Sequence, residues 1–184
     1  AKHLTVISEI SWKSLMRRTN SPTVIKSKES GVCLGTLIKS SQFSKKMLEN
    51  TNIPIVLCSS APRLKKIIAE AGFKGLSLNK IFAEALVKKD AAVRPQLAID
   101  EAVKIVSSLQ APVLLTDFEM LFDPRYKIDV IKFFYEMSRR VKIVIKWCGT
   151  FDGNRLVYAT PAHRDYHSYN IQDYDVTCVI GSVK

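Results

Sequence analysis

The sequence predicts an α/β fold in which helices cover both faces of a parallel β-sheet, preceded by a small N-terminal α+β extension. From residue 53 onward, short β-branched apolar segments alternate with longer amphipathic segments, which is typical of parallel sheets. The apolar runs 54–58 and 111–115 have strand length, far below the roughly 20 residues that cross a membrane, so no membrane partner is expected. Apolar residues make up 47% of the chain, which is enough for a hydrophobic core.

The extension is predicted to span residues 1–50, and the main domain residues 51–184. Apolar spacing and β-branched segments divide the extension into a helix, a small hairpin and a second helix. These elements lie, in order, at 7–19, at 22–26 with 31–38, and at 40–51. The second helix has a serine cap and would turn Phe43, Met47 and Leu48 inward.

Strands and helices alternate through the main domain. Pro62 suits the first turn of a helix, Gly72 ends that helix, Pro95 separates two later helices, and Gly153 marks a turn. Strands are predicted at 53–58, 76–78, 111–116, 141–147 and 155–159, and helices at 62–71, 79–89, 95–109 and 125–138. In such a sheet the strand ends that bind ligands lie at one edge.

Net charge and cysteine content bear on the kind of partner and on the cellular compartment. The net charge is +11, and residues 1–100 hold 17 Lys/Arg against 7 Asp/Glu. This asymmetry indicates either a face that meets a polyanion or a solvated basic surface without a ligand. The four cysteines include no CxxC pair, so they are expected to be buried free thiols in a reducing, cytoplasmic setting.

The most specific motif is PVLLTDFEMLFDP at residues 112–124, an apolar strand that ends in Asp117 with Glu119 two residues later. This is the form of the acidic strand in P-loop NTPases. One carboxylate can hold Mg²⁺ and the other can orient an attacking water, so both are candidate catalytic residues. The alternative is a strand-end aspartate that caps the following turn.

The matching phosphate loop should follow the first strand as GxxxxGK[ST]. Here that strand leads into CSSAPRLKK at 58–66, which contains no glycine. Glycine is needed because backbone N–H groups must curl around the phosphates. Small residues, the start of the helix and a lysine could still meet an anion. The candidate nucleotide-binding residues are Ser59, Ser60, Arg63, Lys65 and Lys66.

With these motifs in order, residues 53–180 resemble the small P-loop protein of type III BREX phage-defence systems. The resemblance rests on LLTDFEMLFDP (114–124), VKIVIKWCG (141–149) and LVYATPAHRDYHSY (156–169). GLSLNKIFAEAL (75–86) and KDAAVRPQL (89–97) follow the same order.

The resemblance implies an ATPase-like subunit that works with other defence-system proteins, which modify host DNA and block phage replication. It implies ATP and Mg²⁺ as cofactors, and it places Asp117 and Glu119 on the acidic strand. Family-motif residues without an assigned role are Ser138, Arg139, His163 and Tyr166. The chain departs from the family in the loop at 58–66 and in its added N-terminal segment, which favours a weak ATPase or a pseudo-ATPase.

Basic residues of the N-terminal segment are the candidates for contact with the phosphates of double-stranded DNA. They are Arg17, Arg18, Lys26, Lys28, Lys39, Lys45 and Lys46. Trp12 and Phe43 could stack on bases, but both lie on predicted apolar faces, which favours a place in the core.

Two further constellations favour structural interpretations. His163 and His167 are four residues apart, but Pro161 and the tyrosines favour a loop or a strand edge over a metal site. Arg139 with Arg140 could sense phosphate, although a charge pair at the end of a helix explains them more simply.

Two hypotheses therefore remain. In the first, a nucleotide-responsive subunit uses Asp117 and Glu119 with Lys65 or Lys66, completed by a partner protein or by a second copy of the chain. In the second, a non-catalytic module keeps the fold for scaffolding or for binding DNA.

Overall fold

The computed structural model describes residues 35–181. The chain divides after Val32, and the described residues all lie in the second unit, Cys33–Lys184. The predicted helix at 7–19 and the predicted strand at 22–26 lie outside the described residues.

Nine strands and five α-helices follow one another along the described residues. The strands are β1 (Thr36–Lys39), β2 (Ile55–Leu57), β3 (Lys74–Ser77), β4 (Val113–Thr116), β5 (Ile143–Lys146), β6 (Thr150–Phe151), β7 (Arg155–Tyr158), β8 (His167–Asn170) and β9 (Thr177–Ile180). The helices are α1 (Lys45–Asn50), α2 (Pro62–Glu70), α3 (Leu78–Val87), α4 (Arg94–Ser107) and α5 (Val130–Ser138). Short 3-10 helices span Glu119–Phe122 and Ile171–Asp173.

Six of the strands form one sheet in the order β1-β9-β2-β5-β4-β3, and every neighbouring pair is parallel. The predicted parallel α/β sheet is therefore confirmed. Parallel pairing requires crossover connections, which the helices between the strands supply.

Each face of the sheet has its own hydrophobic core. On β2, Val56 packs into the larger core with Phe82 of α3 and Ile131 of α5. Its neighbour Leu57 packs into the smaller core with Leu64 of α2. Because successive side chains of a strand point to opposite faces, this division shows that β2 is covered by helices on both sides.

The remaining strands β6, β7 and β8 form a separate antiparallel sheet. The prediction that 155–159 adds a fifth strand to the parallel sheet is therefore wrong, although the strand itself exists as β7. Only three residues, with Gly153 at φ +96°, join β6 to β7, and such a short link permits only an antiparallel hairpin.

The small sheet is anchored where β5 ends. The indole N–H of Trp147 lies 3.2 Å from the carbonyl oxygens of both Thr150 and Val157. Gly149 allows this close approach, since a Cβ there would lie 1.9 Å from the Val157 oxygen. The ring of Tyr158 also stacks on Phe122 with the centroids 4.0 Å apart.

The N-terminal boundary also differs from the prediction. β1 pairs with β9 in the parallel sheet, and Phe43 and Leu48 are buried in the smaller core. Residues 36–50 thus belong to the main unit, so a boundary at residue 50 is too late. The strand β9, which the sequence analysis did not predict, makes this pairing possible.

Candidate functional site

The carboxyl ends of the six parallel strands lie at one edge of the sheet, where ligands bind in such folds. β2 leads there into residues 58–61, and β4 leads into Asp117. β5 lies between β2 and β4. With a strand spacing of about 4.8 Å, the end of β4 lies roughly 10 Å from the end of β2. The two predicted parts of the site are therefore brought to the same edge.

Asp117 turns the chain sharply at the end of β4. Its φ of +49° lies in the left-handed region, which aspartate tolerates better than most residues. Asp117 is exposed, whereas the next residue, Phe118, is completely buried. The Asp117 carboxylate accepts a hydrogen bond of 3.0 Å from the Thr116 hydroxyl.

Asn79 at the start of α3 holds the segment that carries the second carboxylate. Its side-chain amide donates to Glu119 Oε2 at 2.7 Å, and its Oδ1 accepts from the Met120 N–H at 3.0 Å. Its own N–H donates to the Asp117 carbonyl. Sequence analysis missed Asn79, because nothing in the helical pattern of 79–89 distinguishes it from a solvent-facing residue.

The thiol of Cys148, which follows β5, lies within the electrostatic reach of both carboxylates. Burial raises the pKa of Cys148 to about 12, with smaller contributions from the charges of Glu119 and Asp117. The three described cysteines are free thiols. The prediction of buried thiols is confirmed for Cys178, whereas Cys58 and Cys148 are half-buried, and Cys33 lies outside the described residues.

The connection that should cradle phosphate is short and committed to other contacts. Only residues 58–61 separate β2 from α2, and none of them has a positive φ. The Cys58 N–H donates to the Val179 carbonyl at 2.9 Å, and the Ser59 hydroxyl accepts from the Ala61 N–H at 3.4 Å. A phosphate nest needs successive N–H groups turned to a common point by alternating backbone conformations, and this loop has no such turn.

The three cations predicted to bind nucleotide differ in their contacts and exposure. One nitrogen of Arg63, Nη1, donates to the carbonyl oxygens of both Ser40 and Ser41 at 2.8 Å, so this side chain is turned toward the connection after β1. Lys66 pairs with Glu70 at 3.9 Å on the helix surface. Lys65 and Ser60 are exposed.

Four of the predicted DNA-binding residues, Arg17, Arg18, Lys26 and Lys28, lie outside the described residues. Lys39, Lys45 and Lys46 are exposed at the end of β1 and the start of α1. The bonds of Arg63 to Ser40 and Ser41 bring a fourth cation beside them. We call Lys39, Lys45, Lys46 and Arg63 the basic edge.

Ser138 and Arg139 lie far from the acidic residues. They end α5, which leads into the amino end of β5, so they lie at the opposite edge of the sheet. The Ser138 hydroxyl donates to the Tyr135 carbonyl at 2.7 Å. Arg139 forms a 3.5 Å ion pair with Glu136, three residues earlier in the chain.

Two elements of the resemblance, LFDP (121–124) and YATPAHRDY (158–166), meet in the fold. Asp123 binds Arg125 through both carboxylate oxygens, at 2.9 and 3.0 Å from Nε, and lies 3.6 Å from Arg164. The pKa of Asp123 is lowered, chiefly by the hydrogen bond from Arg125. His163 lies in the connection between β7 and β8, where its Nδ1 accepts from the Asp165 N–H at 3.1 Å, and Tyr166 is exposed nearby.

The two histidines of this motif are not placed as a ligand pair. His167 packs between the rings of Phe122 and Tyr169, whereas His163 stays on the exposed connection. Within residues 35–181, no group of three or more His, Cys, Asp or Glu side chains is arranged to hold a metal ion.

None of the helices in the described part of the chain has the length and apolar character needed to span a membrane. Comparison of the chain with family models, with curated proteins and with solved structures gives no match.

Removal of the Asn79 contacts should measurably lower the stability of the folded chain. Asn79→Ala should lower the free energy of unfolding by about 2 kcal/mol, because it breaks two partly buried hydrogen bonds and leaves the Met120 N–H without its acceptor. Urea denaturation measures this. Lys80→Ala, at the exposed neighbouring position, should change the value by less than about 0.5 kcal/mol; equal effects of the two variants would contradict the assigned role.

Proposed function

We propose that this chain has a P-loop-like nucleotide fold and works as a subunit with little or no ATPase activity of its own. Support for the fold comes from the position of the acidic turn. Asp117 and Glu119 follow β4, an interior strand of the parallel sheet, at the same edge as the connection after β2. A carboxylate in that position can hold Mg²⁺ beside a phosphate group.

The proposed lack of turnover rests on the four-residue connection at 58–61. A phosphoryl group in transfer needs donors around its oxygens and a cation to balance the developing charge. This connection has no glycine and no positive φ, and its Ser59 hydroxyl and Cys58 N–H are already paired. Arg63 is held by Ser40 and Ser41. The acidic residues thus lack the other half of a catalytic site.

The role in a BREX-type defence system rests on the sequence resemblance and stays a prediction. Phage plating on a host that carries the complete system, with and without this chain, tests it. An unchanged plating efficiency without the chain would refute that role.

Phosphate release from ATP tests the proposed lack of turnover. With Mg²⁺ and millimolar ATP, the full chain should release phosphate at the same rate as Glu119→Gln. This variant keeps an oxygen that can accept from Asn79, so the comparison removes only the charge. A wild-type rate clearly above that of Glu119→Gln would show that the chain is an ATPase and would overturn the proposal.

The basic edge supports a second candidate function, contact with the phosphates of double-stranded DNA. Lys39, Lys45 and Lys46 are exposed, and Arg63 bonds to Ser40 and Ser41, which lie between them in the sequence. The nearest carboxylate in the sequence is Glu49 for Lys45 and Lys46, and Glu70 for Arg63. Lysine contacts to phosphates carry no information about base sequence, so we expect binding that does not depend on sequence.

Fluorescence anisotropy with a labelled duplex tests this second candidate. Affinity should fall steeply between 50 and 200 mM salt, since binding would release counterions. Lys45→Glu with Lys46→Glu should weaken binding by roughly tenfold or more. The matched control, Lys80→Glu with Lys88→Glu, changes the same charge on α3 and its end and should have a much smaller effect. Equal losses in both double variants would show that binding depends on net charge alone and would contradict a role for the basic edge.

A further inference from the structure

A groove lies between α3 and α4, beside the segment that follows the acidic turn. Its volume is about 340 Å³, which falls in the range of about 300–1,000 Å³ of small-molecule sites. One wall is apolar, with Leu86 and Val87 from the end of α3, and Met120 and Tyr126 continue the apolar lining. The predicted functional residues Asp117 and Glu119 are not part of it.

Two arginines, Arg94 and Arg125, are among the residues that line this groove, and no aspartate or glutamate is. Arg94 is anchored through Nε to the Lys89 carbonyl at 3.0 Å and through Nη2 to the Val87 carbonyl at 3.4 Å. Arg125 is anchored through Nε and Nη2 to Asp123. Both side chains are thus fixed by one side of the guanidinium, which leaves Nη1 of each without an assigned partner.

The two arginines make the groove positively charged, although a nearby carboxylate offsets part of this charge. Asp123 offsets part of the charge of Arg125, and Arg94 bonds only to neutral carbonyl groups. Arg94 also begins α4, a helix of 14 residues, whose N-terminal dipole adds to the positive potential. Asp90 places one negative charge just before α4, where its carboxylate accepts from the Ala92 N–H at 2.8 Å, so the preference for an anion rests on the two arginines rather than on the dipole.

Apolar side chains are exposed around the same feature. Val87 is 66% exposed and Val93 is 45% exposed. They are two of the four large hydrophobic residues exposed among the described residues. An exposed apolar patch with a polar rim commonly marks a binding site.

We propose that the groove binds a small organic anion whose aromatic or aliphatic body packs on Leu86, Val87 and Met120 while its anionic group meets Arg94 and Arg125. Guanidinium groups suit carboxylate, sulfonate and phosphate oxygens, because they offer parallel N–H donors. The inference does not depend on the proposed nucleotide fold, since the two sites share no residue.

The first test uses 8-anilinonaphthalene-1-sulfonate, an aromatic anion, titrated into the folded full chain in a calorimeter. We expect saturable binding with one site per chain. Ala91 lines the groove, whereas the exposed neighbour Ala92 does not. Ala91→Phe should therefore weaken binding at least about fivefold by filling the space, and Ala92→Phe should leave it unchanged. No saturable binding, or equal affinities for the two variants, would overturn the proposal.

The second test separates the charge from the apolar surface. Arg125→Gln should weaken binding of the sulfonate about fivefold, since it removes one of two cations at the groove. It should leave unchanged the binding of N-phenyl-1-naphthylamine, the analogue without the anionic group. Lys88→Gln removes an exposed charge outside the groove and serves as the control. Equal losses for both probes in Arg125→Gln, or an equal loss in Lys88→Gln, would contradict recognition of an anion by this arginine.

Discussion

The parallel pairing of β5 between β2 and β4 is the constraint on which the rest of the structure depends. Val144 pairs with Ile55 on one side and with Leu114 on the other, so the three central strands advance in register. Because they run in the same direction, the turn at Asp117 and the connection at 58–61 must lie at one edge. The same pairing buries Val56 and Leu57 on opposite faces, which commits the helices to both sides of the sheet.

At that edge, the two halves of the proposed nucleotide site differ in how completely they are built. The acidic half is organised: Asn79 bonds to Glu119 and Met120, and Thr116 bonds to Asp117. In the opposite half, the Cys58 N–H bonds to β9, the Ser59 hydroxyl accepts from the Ala61 N–H, and no residue has a positive φ. A site of this kind can place carboxylates beside a bound cation, but its connection offers no nest of backbone N–H donors for a phosphate. These differences support the proposed role in an assembly rather than turnover by the chain itself.

Much of the fold could be predicted from the sequence, because β-branched runs and helix boundaries are local signals. Pro62 begins α2, as predicted, and Pro95 is the second residue of α4, after the break between α3 and α4. Strand partners could not be predicted, since pairing is decided over long distances in the chain. This explains why β7 was assigned to the wrong sheet and why the pairing of β1 with β9 was missed. The acidic carboxylates were found from a motif, whereas Asn79 and the turn of Arg63 toward Ser40 depend on tertiary contacts.

Calorimetric titration of the full chain with ATP and Mg²⁺ tests the central claim most directly. The account predicts no saturable heat of binding at micromolar ATP, because residues 58–61 offer no cradle for the phosphates. Stoichiometric binding with a micromolar Kd that Asp117→Ala abolishes would contradict it, since the acidic half and the short connection would then form a complete nucleotide site.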